Sequence, residues 1–150
     1  MMIQYMHLQP WDWDVILFYD TCAGDIDTVS SELRRIGCEG GDYERARRKL
    51  EDGFLNTGFT VSVVGSRSTV CVIGRSSSSA QFWNTFDHEK GHVAEHIGDA
   101  LGLPEDGEEI QYLKGMLAQK TYPYAVEYLC RCQCSFRHDF GTREANHVKL

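Results

Sequence analysis

The sequence predicts an α+β domain in which an antiparallel sheet packs against two successive helices. Runs rich in aromatic and β-branched residues, the composition of strands, occupy 11–19, 59–64 and 69–73. Apolar residues recur at helical spacing in 25–37, and a long helix over 80–101 follows a run of serines. The resulting order is strand, helix, helix, hairpin, helix, helix, so the strands do not alternate with crossover helices as in a parallel α/β sheet.

Each element has its own warrant. Residues 11–19 form the first strand. Ile26, Val29, Leu33 and Ile36 give the next segment one apolar face, with Asp25 or Asp27 as N-cap and Gly37 as its stop. A second, highly charged helix over 42–53 turns Tyr43 and Leu50 inward. Gly65-Ser66-Arg67-Ser68 connects 59–64 to 69–73 as a hairpin. Ser76 to Ser79 supply N-caps for the helix 80–101, which Gly102 and Pro104 stop. A further helix runs from near Gly107 to about Lys120, where Pro123 ends it, with room for a short last helix over 124–129. Residues 1–129 read as one domain and 130–150 as a cysteine-bearing C-terminal tail.

Composition narrows the function. A chain of 150 residues with 42% hydrophobic positions can bury a core without staples. The balance of 22 acidic against 15 basic groups, net −7, argues against nucleic-acid and anionic-membrane partners. The basic stretch 45–49 is interrupted by Ala46 and flanked by Glu44 and Glu51, so it reads as a solvated helix face. No apolar run approaches the ~18 residues of a membrane span. Residues 1–10 lack the pattern of a signal peptide, which makes the cytoplasm the expected compartment. Free thiols are then expected for the six cysteines. Cys130, Cys132 and Cys134 would share one face of an extended segment, near His138. Their spacing lacks the two-residue gap of a zinc knuckle, so a metal role for the tail is the weaker reading.

The chemistry lies in the long helix, in Asp87-His88-Glu89-Lys90-Gly91-His92. Residues four apart stand one above the other on a helix, so His88 and His92 can direct imidazole nitrogens at one zinc ion. Glu89 sits on the adjacent edge, placed to take a proton from a water that the ion polarises and to pass it to a leaving amine. An acidic pair after the break at 102–107 is a natural source of a third ligand, and the second strand of the hairpin is a candidate edge for aligning a peptide.

This arrangement resembles the zincin metallopeptidases over roughly residues 69–120, which implies a small zincin-like domain with an active-site helix and a following ligand helix. Thr85, Phe86, Gly91, Val93 and Ala94 satisfy the extended zincin signature. Lys90 departs from it, because that position is ordinarily uncharged and packed. The metzincin third histidine would fall at Gly98, so the resemblance is to the gluzincins, whose third ligand is a Glu on a later helix. Glu108 and Glu109 both fit. Helical phase favours Glu109, whereas the run Gly-Glu-Glu-Ile-Gln-Tyr-Leu-Lys-Gly is similar to small H-E-x-x-H proteins of phages and mobile elements and favours Glu108. The expected metal ligands are His88, His92 and Glu108, with Glu109 as the alternative.

His96 continues the stripe but diverges along the helix axis, and reads as a packed or supporting histidine. Asp99 could orient an imidazole. Tyr112, Tyr122, Tyr124, His138 and His147 all stay open as donors to an oxyanion, although Tyr112 reads better as a packed residue. The expected activity is that of a zinc-dependent peptidase acting on a peptide or protein substrate. The competing reading is a catalytically silent zincin-like binding module with a structural metal.

Overall fold

The computed structural model describes the backbone of residues 1–140 and the side chains of residues 1–132. Its strands are β1 (Met2–Leu8), β2 (Trp13–Thr21), β3 (Gly58–Val63) and β4 (Ser68–Gly74). Its α-helices are α1 (Ile26–Arg35), α2 (Gly40–Glu51), α3 (Ser79–Leu101) and α4 (Glu108–Phe140). The strands form one sheet in the order β1-β2-β4-β3. β1 runs antiparallel to β2, β2 parallel to β4, and β3 antiparallel to β4.

Strand alternation builds two cores. Trp13, Val15, Leu17 and Tyr19 pack with Phe82, Phe86, Val93 and Ile97 of α3 and with Leu113 and Leu117 of α4. Ile16 and Phe18, between them in sequence, pack with Val29 and Leu33 of α1 and Leu50 of α2. The sheet is therefore covered on both faces, which is why β2 reads as an unbroken apolar run.

The α+β class is as expected, and four details differ. The sheet is mixed rather than antiparallel. α1 and α2 carry the chain across one face before the hairpin, and β4 returns parallel to β2. Residues 2–8 form an additional strand, in which Gln4, Met6 and Leu8 point inward and Tyr5 and His7 outward. Within the hairpin, β4 is interior and the first strand, β3, is the edge.

Finally, Pro123 lies inside α4 without ending it. The Gln4 Nε2 donates to the Lys120 carbonyl at 2.8 Å, and the Thr121 hydroxyl donates to the Leu117 carbonyl at 2.7 Å. The carbonyl that Pro123 deprives of its N–H partner is that of Gln119, an exposed residue on the solvent side of the helix. Beyond it, Ala125 and Tyr128 are buried, and Tyr124 stacks on Tyr19 with ring centroids 6.0 Å apart.

The helix carries through the expected boundary at residue 129, so Cys130 and Cys132 lie on α4 rather than in an extended tail. Residues two apart diverge around a helix, which removes the shared face that extension would give them. The side chains of Cys134 and His138, and all of His147, lie outside the described residues. The described cysteines are free thiols. Among the described residues, no helix is long and apolar enough to cross a membrane.

Candidate active site

α3 is a well-delimited helix. The Ser78 hydroxyl accepts from the Gln81 N–H at 3.1 Å at its start, and Gly102 closes it in the left-handed conformation, φ 65°. Phe82, Phe86, Val93 and Ile97 bury one face against the sheet, which leaves His88, His92 and His96 along the adjoining rim. Lys90, the departure from the zincin pattern, is accommodated. Its ammonium lies 4.7 Å from the centre of the Phe86 ring and donates to Asp87 at 2.9 Å, so the stem packs while the charge reaches solvent.

The two motif histidines converge, with His88 Nε2 and His92 Nε2 3.2 Å apart. Behind them, His92 Nδ1 lies 3.0 Å from a carboxylate oxygen of Glu95. A carboxylate accepts, so Nδ1 of His92 carries a proton, and its Nε2 lone pair accepts from the His88 Nε2–H across the 3.2 Å contact. Asp99, equally open by sequence to orienting an imidazole or to solvation, is exposed and makes no such bond among the described residues.

Glu89 enters the seam between α3 and β3 and is 5% exposed. The Thr60 hydroxyl donates to its Oε2 at 2.8 Å. The two elements meet so closely because residue 58 is glycine. A Cβ there would stand 2.4 Å from the Val72 carbonyl oxygen and 2.8 Å from Glu89 Cγ.

One turn further along α3, His96 Nδ1 lies 3.0 Å from the Ser62 hydroxyl. That hydroxyl lies 2.7 Å from Thr69 Oγ1, which also accepts from the Trp13 indole N–H at 2.9 Å. Burial, reinforced by the neighbouring His92, lowers the pKa of His96.

These groups border connected open space. A cleft of about 580 Å³ is lined by His88, Glu89, His92 and His96 from α3, by Gly58 and Thr60 from β3, and by Lys49 from α2. It continues along β3 into a groove of about 610 Å³ that shares Lys49, Thr60 and His96. Volumes of this order suit a peptide-sized ligand. A third cleft, about 530 Å³, lies on the α4 side of the histidine pair. His88, His92, Asp87, Glu95, Asp99 and Glu105 line it, with Ile110 and Lys114 from α4.

The expected third ligands are not brought to the pair. Glu108 and Glu109 are exposed in the first turn of α4 and line none of these clefts. At about 100° per residue, both stand roughly 100° or more around the helix from Ile110 and Lys114. Among the described residues, no three His, Cys, Asp or Glu side chains are gathered closely enough to hold a metal ion. Tyr112 and Tyr122 are exposed. Tyr124 is committed to Tyr19, so none of the three lines a cleft with the histidines.

Thr60, Ser62, Glu95 and Glu105 were not singled out by sequence. Glu95 could have been, since it stands three residues after His92 and therefore one turn along the same face. The others depend on strand register and loop path. No protein-family model, curated protein or solved structure matches this chain.

Proposed function

We propose that this protein is a zinc-dependent hydrolase that cleaves peptide bonds, with His88 and His92 as metal ligands and Glu89 as general base. The observation that carries this reading is the 3.2 Å separation of the two Nε2 atoms. Two nitrogens bound to one tetrahedral zinc at about 2.0–2.1 Å stand about 3.3 Å apart; the hydrogen-bonded pair has that spacing, and His88 would give up its Nε2 proton for an ion to bind. Glu95 holds His92 in the tautomer that binding requires.

A third donor would arrive from the α3–α4 connection. Glu105 lines the cleft beside both imidazoles. Glu108 or Glu109 could serve only by a turn of the first α4 residues. When bound, zinc polarises a carbonyl and acidifies water. Glu89, held by Thr60 on the opposite side of the pair from Glu105, accepts the proton of the attacking water and returns it to the leaving amine.

The peptide reading rests on β3. The Gly74 N–H donates to the Thr57 carbonyl at 2.9 Å. The antiparallel alternation then directs the backbone N–H and C=O groups of Gly58, Thr60 and Ser62 away from β4, toward the groove. An extended peptide can add there as a further strand.

A binding module sealed around a structural metal would need a fourth protein ligand. The next imidazole along α3, His96, instead has its Nδ1 engaged by Ser62.

Metal analysis of protein purified with zinc supplementation, followed by Glu89→Gln, tests the proposal. Zinc near one equivalent and loss of peptidase activity in the variant are expected. A metal-free protein, or activity that survives the substitution unchanged, refutes it.

A further inference from the structure

We infer that His96 is the donor to the peptide carbonyl oxygen in this cleft, held as the Nε2–H tautomer by a hydrogen-bond relay from Trp13. The inference rests on the hydrolase reading for its substrate and on the relay for its geometry.

The relay has a direction because an indole N–H can only donate. Trp13 gives its proton to Thr69 Oγ1. The Thr69 hydroxyl then donates to Ser62 Oγ, and the Ser62 hydroxyl donates to His96 Nδ1. With the opposite polarity, Thr69 Oγ1 would accept from both Trp13 and Ser62. Its own proton would have no acceptor among the described residues, although Thr69 is fully buried. Buried donors without partners are strongly disfavoured.

Nδ1 therefore accepts, and neutral His96 carries its proton on Nε2. The Nδ1 edge faces the sheet while the ring lines the cleft, so the Nε2–H edge is presented to the cleft. His92 and His96 are thereby split into opposite tautomers. His92 donates from Nδ1 to Glu95 and keeps its lone pair on Nε2, where it accepts from His88. His96 offers a proton where His92 offers a lone pair.

The two rings stand 5.9 Å apart between centroids. A carbonyl oxygen bound between the two rings would meet the His96 N–H on the side where His92 would hold an ion. This is the placement that stabilises negative charge developing on that oxygen. Burial of His96 disfavours its charged form, and the relay from Ser62 selects the tautomer. Trp13, Thr69 and Ser62 are positioning residues that act through it.

The test uses the full chain, ¹⁵N-labelled. Two-bond ¹H–¹⁵N correlation spectra should show His96 protonated at Nε2 and unprotonated at Nδ1, and Ser62→Ala should mix the tautomers. Zinc affinity, read by chelator competition, should be unchanged in His96→Gln and severely weakened in His92→Gln. On a fluorogenic casein substrate, His96→Gln should lower kcat by about 100-fold with KM little changed.

An Nδ1–H tautomer, zinc loss in His96→Gln matching that of His92→Gln, or unchanged kcat overturns the inference. A zinc-loaded wild type that cleaves nothing refutes the hydrolase reading and, with it, the donor role. The spectra, taken without substrate, separately decide whether the relay exists.

Discussion

Two glycines beside the candidate site should respond to the same substitution with opposite signs. At Gly58 an added methyl carbon would lie 2.4 Å from the Val72 carbonyl oxygen, about 1 Å short of ordinary contact, and 2.8 Å from Glu89 Cγ. The carbonyl belongs to the interior strand β4 and cannot withdraw, so β3 must shift away from β4, and the Glu89 contact presses it from α3 as well. Overpacking of this kind costs about 1–3 kcal/mol, and a rigid backbone neighbour places Gly58→Ala at the upper end. For a domain of this size each kcal/mol moves Tm by about 2–4 °C, which gives a fall of roughly 6–12 °C.

Gly91, inside the motif, has open space where its Cβ would be. Gly91→Ala should therefore gain the helix-propensity difference of about 0.5–1 kcal/mol, a rise of roughly 1–4 °C. Thermal unfolding followed by circular dichroism in the presence of a chelator reads both without metal linkage. A Gly58→Ala protein that melts with the wild type, or two variants that shift in the same direction, would refute the described approach of β3 to Glu89.

Further outcomes follow from the same geometry. Glu105→Gln should weaken zinc binding more than Glu108→Gln or Glu109→Gln, measured by chelator competition; the reverse order would return the third donor to α4. Gln4 is 5% exposed, accepts from the Tyr19 hydroxyl and donates to the Lys120 carbonyl. Gln4→Leu leaves the buried Tyr19 hydroxyl without its acceptor and should cost about 1–3 kcal/mol in urea unfolding, with Tyr19→Phe in the same background recovering part of it. For His96, burial and then His92 hold the native pKa below the ordinary 6.5, so the unfolded chain takes up a proton first as the pH falls. The stability associated with this residue is intact above pH 6.5 and declines below it. Metal-free His96→Gln should show a shallower decline over that window in urea titrations.

Much of the fold was legible because it rests on local signals. The hairpin turn, the serine cap and the Gly102 stop lie within a few residues of what they control, and β3, β4 and α3 follow from them. The strand at 2–8 lacks the aromatic and β-branched density of its neighbours. Only pairing with β2 makes it a strand, with Met2 opposite Tyr19 and Leu8 opposite Trp13. Pro123 misled for a related reason, since the carbonyl it deprives of a donor, that of Gln119, belongs to an exposed residue, while Ala125 and Tyr128 beyond it are held in the core by contacts distant in sequence.

By itself, the sequence determined that His88 and His92 converge and that Glu89 leaves the helix at a different angle, because these follow from a rise and rotation that every α-helix shares. It could not determine which carboxylate meets the pair, which strand forms the free edge, or which proton His96 carries. Those depend on the path of a connecting loop, on strand order, and on a relay that joins Trp13, Thr69 and Ser62 of three strands to one helix. Contacts between residues far apart in the chain exist only once the sheet has assembled, so tertiary structure alone decides them.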